Sequence, residues 1–143
     1  MTPMTPEETR AFLLRGTRTG NLATVRADGR PHVAPIWFTL DGNDLVFNTG
    51  RDSVKGRNMA RDPRVMLSVD DETPPFAFVL VEGTAVIAAP SVEELLPWTT
   101  RIARRYMGNA QADAYGRRNA GEGELLVRVP MTKVNAQKGI SDW

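Results

Sequence analysis

Residues 21–26, Asn21-Leu22-Ala23-Thr24-Val25-Arg26, and residues 31–40, Pro31-His32-Val33-Ala34-Pro35-Ile36-Trp37-Phe38-Thr39-Leu40, flank Asp28-Gly29, and this stretch decides the fold. Both runs are rich in residues that favour extended backbone, and Asp-Gly between them is the signature of a tight hairpin turn. A second turn, Asp41-Gly42-Asn43, leads into a third strand over 44–49. Turns this short force antiparallel pairing, because a parallel partner needs a crossover of about a dozen residues or more. The expectation is a three-stranded antiparallel meander.

Working outward, Asp52 or Ser53 can cap a short helix that runs through Lys55, Asn58 and Met59 and stops before Pro63. Residues 64–69 read as a fourth strand, and the acidic, proline-containing loop Asp70-Asp71-Glu72-Thr73-Pro74-Pro75 as surface. Residues 76–89 are long for one strand; Glu82-Gly83 in the middle suggests a bulge or bend of the kind that curls a sheet into a barrel. Ser91-Val92-Glu93-Glu94 is a capping box, followed by Leu95, Trp98, Ile102 and Tyr106 at helical spacing, with Pro97 expected to kink or restart that helix. A further short helix is expected over 113–118, and a last strand over 124–134 with Pro130 at an edge or bulge. Upstream, Thr5-Pro6-Glu7-Glu8 forms another capping box, and Gly16 stops its helix.

Composition narrows the chemistry. The chain has 143 residues, 18 Lys plus Arg against 17 Asp plus Glu, one His and no Cys. That length suits a single domain, 1–143, with a core that needs no disulfide or structural zinc. Thiol nucleophiles, Cys-based zinc or iron–sulfur sites and multi-His metal centres are excluded, so the hard chemistry is expected from a bound organic cofactor and no metal. A formal charge of +1 gives no global reason to expect nucleic acid or an anionic membrane. The N-terminal segment lacks the basic start and apolar core of a secretory signal, and the cytoplasm is the expected location.

Three places can carry a site. Arg51-Asp52-Ser53-Val54-Lys55-Gly56-Arg57-Asn58 opens the short helix, and residues 51–64 hold five basic and two acidic side chains. Unpaired N–H groups at a helix start, with Lys55 and Asn58 at i and i+3, suit a phosphate; the plainer reading is a solvated basic face. Pro35-Ile36-Trp37-Phe38 interrupts a strand with a residue that cannot donate to a ladder, which leaves backbone for a flat ligand, with Asn48 and Thr49 as polar contacts on the next strand. The alternative there is that Trp37 and Phe38 are simply core or interface residues. His32 has no acidic or imidazole neighbour in sequence and reads as a structural or surface residue. Gly121-Glu122-Gly123 lacks the context of a dinucleotide loop, and Arg101, Arg104 and Arg105 read as a solvated helix face.

Taken in order, Gly20-Asn21-Leu22-Ala23-Thr24-Val25, Asp28-Gly29-Arg30-Pro31-His32, Pro35-Ile36-Trp37-Phe38, Lys55-Gly56-Arg57-Asn58, Asp62-Pro63-Arg64-Val65 and Val81-Glu82-Gly83-Thr84-Ala85 resemble the pyridoxamine 5'-phosphate oxidase-like flavoproteins. Within that superfamily the chain resembles most the flavin/deazaflavin oxidoreductases of class B, which use coenzyme F420. The resemblance implies a mainly β fold with short helices, a six- to seven-stranded antiparallel split β-barrel, and a homodimer with the cofactor in a groove between subunits. It places Lys55 and Asn58 on the cofactor phosphate, with Arg57, Ser53 and Val54 beside them. It also places the ring along Pro35, Ile36 and Trp37, and the polyol near Asn48 and Thr49. The implied reaction is hydride transfer from reduced F420 to an unsaturated small organic substrate. FMN is the alternative cofactor, and a non-catalytic carrier of flavin, deazaflavin or haem the alternative role. The dense Arg and Lys set of enzymes that oxidise pyridoxamine phosphate is missing.

Overall fold

The computed structural model describes residues 1–143. Ten strands and four α-helices follow one another as β1 (Thr2–Pro3), α1 (Pro6–Leu14), β2 (Gly20–Val25), β3 (Pro31–Ile36), β4 (Thr39–Asp41), β5 (Asp44–Gly50), α2 (Val54–Arg61), β6 (Arg64–Asp71), β7 (Ala77–Thr84), β8 (Val86–Ala88), α3 (Val92–Met107), α4 (Ala112–Asn119), β9 (Glu124–Pro130) and β10 (Lys133–Lys138). A 3-10 turn, Asn109–Gln111, joins α3 to α4. The strands form a six-stranded sheet in the order β1-β10-β7-β6-β2-β3 and a four-stranded sheet in the order β4-β5-β9-β8, with every pair antiparallel.

Three expected strands are each two. The run 31–40 breaks at Trp37-Phe38, with β3 in the large sheet and β4 in the small one. The run 76–89 breaks at Ala85 between β7 and β8, and the run from 124 breaks at Met131-Thr132 between β9 and β10. Each break is a corner where the chain leaves one sheet and enters the other, as a barrel requires. The expected meander is therefore split: the β2–β3 hairpin lies in the large sheet and the β4–β5 hairpin in the small one. Glu82-Gly83 is not the bend, since both residues stay in register with Met66 and Val65. Gly83 instead marks a close approach of the sheets, where a Cβ would stand 2.7 Å from Val129 Cγ1.

The helix ends follow the sequence closely. Thr5 and Ser91 each accept from the amide three residues on, and Glu8 and Glu94 return the bond to complete both capping boxes. Ser53, rather than Asp52, caps α2. The helix α3 runs on through Pro97 without restarting, with that ring on its exposed side. No helix is long and apolar enough to cross a membrane.

Eighteen buried residues, among them Phe38, Phe47, Leu22, Leu67 and Val127, fill the space between the sheets. A second cluster of Val46, Leu95, Ala120 and Leu126 packs α3 and α4 onto the outer face of the small sheet. Alternation along β5 dictates this division, because Leu45 and Phe47 point to the core while Val46 points to the helices. Nothing comparable covers the outer face of the large sheet, where Val33 is 63% and Met66 39% exposed.

Candidate functional site

The start of α2 is built on glycine. Ser53 Oγ donates to Gly50 O at 2.7 Å and accepts from Gly56 N at 3.0 Å. With its proton committed, it must accept from Thr49 Oγ1, 3.1 Å away. A Cβ at Gly56 would stand 2.3 Å from Gly50 O, so only glycine lets strand β5 fold back this tightly onto the helix.

A cavity of about 310 Å³ opens between this helix start, the β3–β4 corner and α3–α4. Pro35, Ile36, Trp37, Asn48 and Lys55 line it together, although they are spread over 21 residues of sequence. Lys55 is half-buried and has no ion pair or side-chain hydrogen bond. Across from it stand Arg118 of α4 and Glu124 at the start of β9. Asn48 Nδ2 donates to Glu124 Oε1 at 2.9 Å and to Asn119 O at 3.3 Å. The amide is thereby oriented and the carboxylate partly satisfied.

The other expected residues stand elsewhere. Thr49 does not join Asn48, because consecutive residues of a strand point to opposite faces, and its hydroxyl is 4% exposed against Ser53. Asn58 does not join Lys55. Three residues advance a helix by about 300°, leaving the two side chains roughly 60° apart. Here that offset sends Asn58 inward, 4% exposed, where Nδ2 donates to Thr24 Oγ1 at 3.0 Å and Oδ1 accepts from Arg61 Nη2 at 2.9 Å. Val54 and Arg57 line a separate hollow on the far flank of α2. Ser53 is spent on the cap. His32 lies opposite Thr24 on β3 and lines none of these hollows; its Nδ1 is buried without a partner.

Sequence reasoning missed what holds Trp37. Its indole lies parallel to the Tyr106 ring, with centroids 4.9 Å apart and 3° between planes. Tyr106 Oη accepts from Phe38 N at 3.3 Å and donates to Arg18 O at 2.8 Å. Burial pushes its phenol above the ordinary tyrosine range. Arg105 is no solvated residue: its guanidinium donates to Leu13 O at 2.6 Å, Phe38 O at 2.8 Å, Gly16 O at 3.2 Å and Arg18 O at 3.4 Å. Burial lowers its pKa, yet the guanidinium stays charged and binds four carbonyls with no carboxylate partner. Arg101 likewise reaches Leu40 O at 2.5 Å and flanks Trp98. The signal available in sequence was the stripe ending at Tyr106; the carbonyls that Arg105 binds converge only through the fold.

The largest hollow, about 700 Å³ between α1, β10 and the β4–β5 turn, contains none of the expected residues. No group of three or more His, Asp or Glu side chains is placed to hold a metal ion.

With this geometry in hand, residues 5–135 match the family described as pyridoxamine 5'-phosphate oxidase. A 5a,11a-dehydrotetracycline/5a,11a-dehydrooxytetracycline reductase from Streptomyces rimosus is 32% identical over 137 residues, which is 88% of this chain and 91% of that protein. A conserved protein from Mycobacterium tuberculosis, Rv2991, superposes with a TM-score of 0.81 at 26% identity, over 96% of this chain and 87% of that one. A structure described as an F420 reductase superposes with a TM-score of 0.68 at 28% identity, over 87% of this chain and 94% of the other.

Proposed function

We propose that this chain, which belongs to the pyridoxamine 5'-phosphate oxidase family, is an oxidoreductase that uses reduced coenzyme F420 to reduce an unsaturated bond in a small organic substrate. The observation that carries the reading is Lys55, a half-buried cation without a counter-ion at a cavity walled by Pro35, Ile36 and Trp37. An unneutralised ammonium beside an aromatic wall fits a ligand with a flat ring and a phosphate. The relatives named as a tetracycline reductase and an F420 reductase support reductive chemistry on this fold and a flavin or deazaflavin cofactor.

When bound, the cofactor supplies the hydride. The chain's own residues bind and orient. Lys55 would hold the phosphate, Trp37 would back the ring, and Asn48, held by Glu124 and Asn119 O, would offer its amide to the polar arm. Among the lining groups only Glu124 is a carboxylate, and its bond from Asn48 orients that amide. A cavity of about 310 Å³ is at the small end for a ligand site, which supports a homodimer whose second subunit completes the groove. The bare outer face of the large sheet, with Val33 and Met66 exposed, supports the same assembly.

The test is fluorescence titration of the cofactor-free protein with coenzyme F420 and, in parallel, with FMN. Tighter binding of F420 is expected. A preference for FMN makes the chain an FMN oxidase or reductase of the same fold, and binding of neither refutes the cofactor assignment.

A further inference from the structure

We infer that the hollow between α1 and β10 is a binding site for a short extended peptide with free ammonium and carboxylate ends, a tripeptide being the smallest that satisfies it. At about 700 Å³ this is the largest hollow of the molecule. Met4, Glu7 and Arg10 line one side of it, Asn43 and Met131 one end, and Val134 of β10 the other side. It shares no lining residue with the Lys55 cavity.

An open stretch of sheet edge lies inside this hollow. β1 pairs with β10 only at Thr2–Lys138 and Pro3–Gln137, and then the chain turns away into α1. Met4 N donates to Ala136 O at 2.9 Å, so Ala136 turns its backbone groups to the β1 side. Val134, two residues earlier on the strand, turns its N–H and C=O the same way, past the point where β1 ends, and no backbone or side-chain group of the chain meets them there. The other sheet edges are blunted. On β3, the bond from Arg26 N to Arg30 O leaves Pro31, Val33 and Pro35 as the outward positions, and two of these three have no N–H. β4 and β8 are only three residues long.

The charges on the facing wall fix the ligand's ends. Glu7 and Arg10 stand one turn apart on α1, and neither enters an ion pair. Arg10 Nη1 donates to Gly42 O at 2.7 Å, a neutral acceptor that holds the guanidinium without cancelling its charge. Glu7 lies towards Met4 and the Ala136 end of the edge, where α1 begins. Arg10 is tied to the β4–β5 turn, beside Asn43, whose O accepts from Met131 N at 2.9 Å and whose Nδ2 donates to Met131 O at 3.2 Å. A segment that continues the line of β1, antiparallel to β10, therefore runs from the carboxylate towards the guanidinium. Its ammonium end meets Glu7 and its carboxylate end Arg10. To exchange both an N–H and a C=O with Val134, one residue needs a peptide bond on each side, which with two free ends makes a tripeptide of about 10 Å. The middle side chain points to the same face as Val134, where Met4 and Met131 offer an adaptable apolar wall.

Calorimetric titration of the full chain with Gly-Leu-Gly at low ionic strength, where exposed charges are least screened, tests the assignment. Saturable binding is expected. Acetylating the peptide's amino end or amidating its carboxyl end should each weaken it at least fivefold, and so should N-methylation of the leucine, which removes the N–H aimed at Val134 O. Glu7→Gln should weaken the free tripeptide but leave the acetylated one unchanged, since that peptide has no ammonium to lose. Glu7 has no ion pair or side-chain hydrogen bond, and the capping box uses Glu8, so the fold is kept. Arg10→Gln should likewise weaken the free tripeptide and spare the amidated one. The inference is overturned by the absence of saturable binding, by an N-methylated peptide that binds as well as the parent peptide, or by Glu7→Gln lowering the affinity of free and acetylated peptides alike. It stands apart from the cofactor reading, since Lys55→Gln should leave tripeptide binding unchanged and Glu7→Gln should leave F420 binding unchanged.

Discussion

Lys55 and Asn58, three residues apart in one motif, are expected to fail in opposite ways when each is replaced by Ala. Lys55 carries a charge into a cavity and makes no ion pair or side-chain hydrogen bond, so Lys55→Ala removes no polar contact the fold uses. Its cost appears in ligand affinity, about 1–3 kcal/mol for a lost charge-assisted contact, or roughly five- to 150-fold in Kd. Asn58 is buried and bridges Thr24 on β2 to Arg61 on its own helix. Its removal leaves the Thr24 hydroxyl without that donor in a dry site, a loss of about 1–1.5 kcal/mol, with a few tenths more from the exposed Arg61 bond. A total of about 1.5–2 kcal/mol converts through an unfolding entropy of about 2.1 cal/mol/K per residue over 143 residues to a fall in Tm of roughly 5–7 °C. Differential scanning calorimetry and the F420 titration, run on both variants, separate the two roles. An Asn58→Ala protein with parental Tm and weakened cofactor binding would falsify this division of the motif, as would a Lys55→Ala protein that melts early and binds normally.

Tyr106→Phe keeps the ring stacked on Trp37 but strips the bonds to Phe38 N and Arg18 O, and should cost about 1–3 kcal/mol in urea unfolding with little change in the Trp emission maximum. In the parent, ultraviolet titration should place the Tyr106 midpoint above that of an ordinary tyrosine, because burial disfavours its anion. Gly56→Ala should destabilise the protein by about 1–3 kcal/mol despite the better helix propensity of Ala, since Gly50 O stands 2.3 Å from the new Cβ; an increase in Tm would contradict the tight return of β5 onto α2. Asp62 titrates at about 2, chiefly through its hydrogen bond from Arg64. A folded-state pKa below the unfolded value means the pair contributes stability above the ordinary carboxylate range and loses it as pH falls towards 2. In Arg64→Gln the Asp62 midpoint followed by NMR should climb back towards an ordinary carboxylate.

What the sequence makes legible is whatever is decided locally. Caps, turns and the α3 stripe depend on residues within four positions of one another, and Thr5, Ser53, Gly42 and Ser91 all behave as their spacing demands. The corners of the barrel do not. At Trp37-Phe38, Ala85 and Met131-Thr132 the chain changes sheets with no Gly, Pro, Asn or Asp to mark the break, so the pattern continues through a corner that only the partner strands impose. For the same reason β10 extends to Lys138, where register with Ala77 on β7, and not its own composition, makes it a strand.

The site divides along the same line, and the division has a mechanistic consequence. Lys55, Pro35, Ile36, Trp37 and Asn48 were legible because a short motif and an interrupted strand mark them, but helical and strand geometry then sorted their neighbours. Thr49 and Asn58, one and three positions away, point into the interior and secure the platform. Tyr106, Arg118 and Glu124 complete the surroundings from 51, 63 and 69 residues downstream of Lys55. Tyr106 of α3 stacks on Trp37, and Glu124 of β9 with Asn119 O of α4 holds Asn48, so the groups that no local motif marks orient those that a motif does. Arg118→Gln should therefore weaken F420 binding in the same titration as Lys55→Ala, because both cations line the one cavity, and an unchanged Kd would take α4 out of the cofactor site.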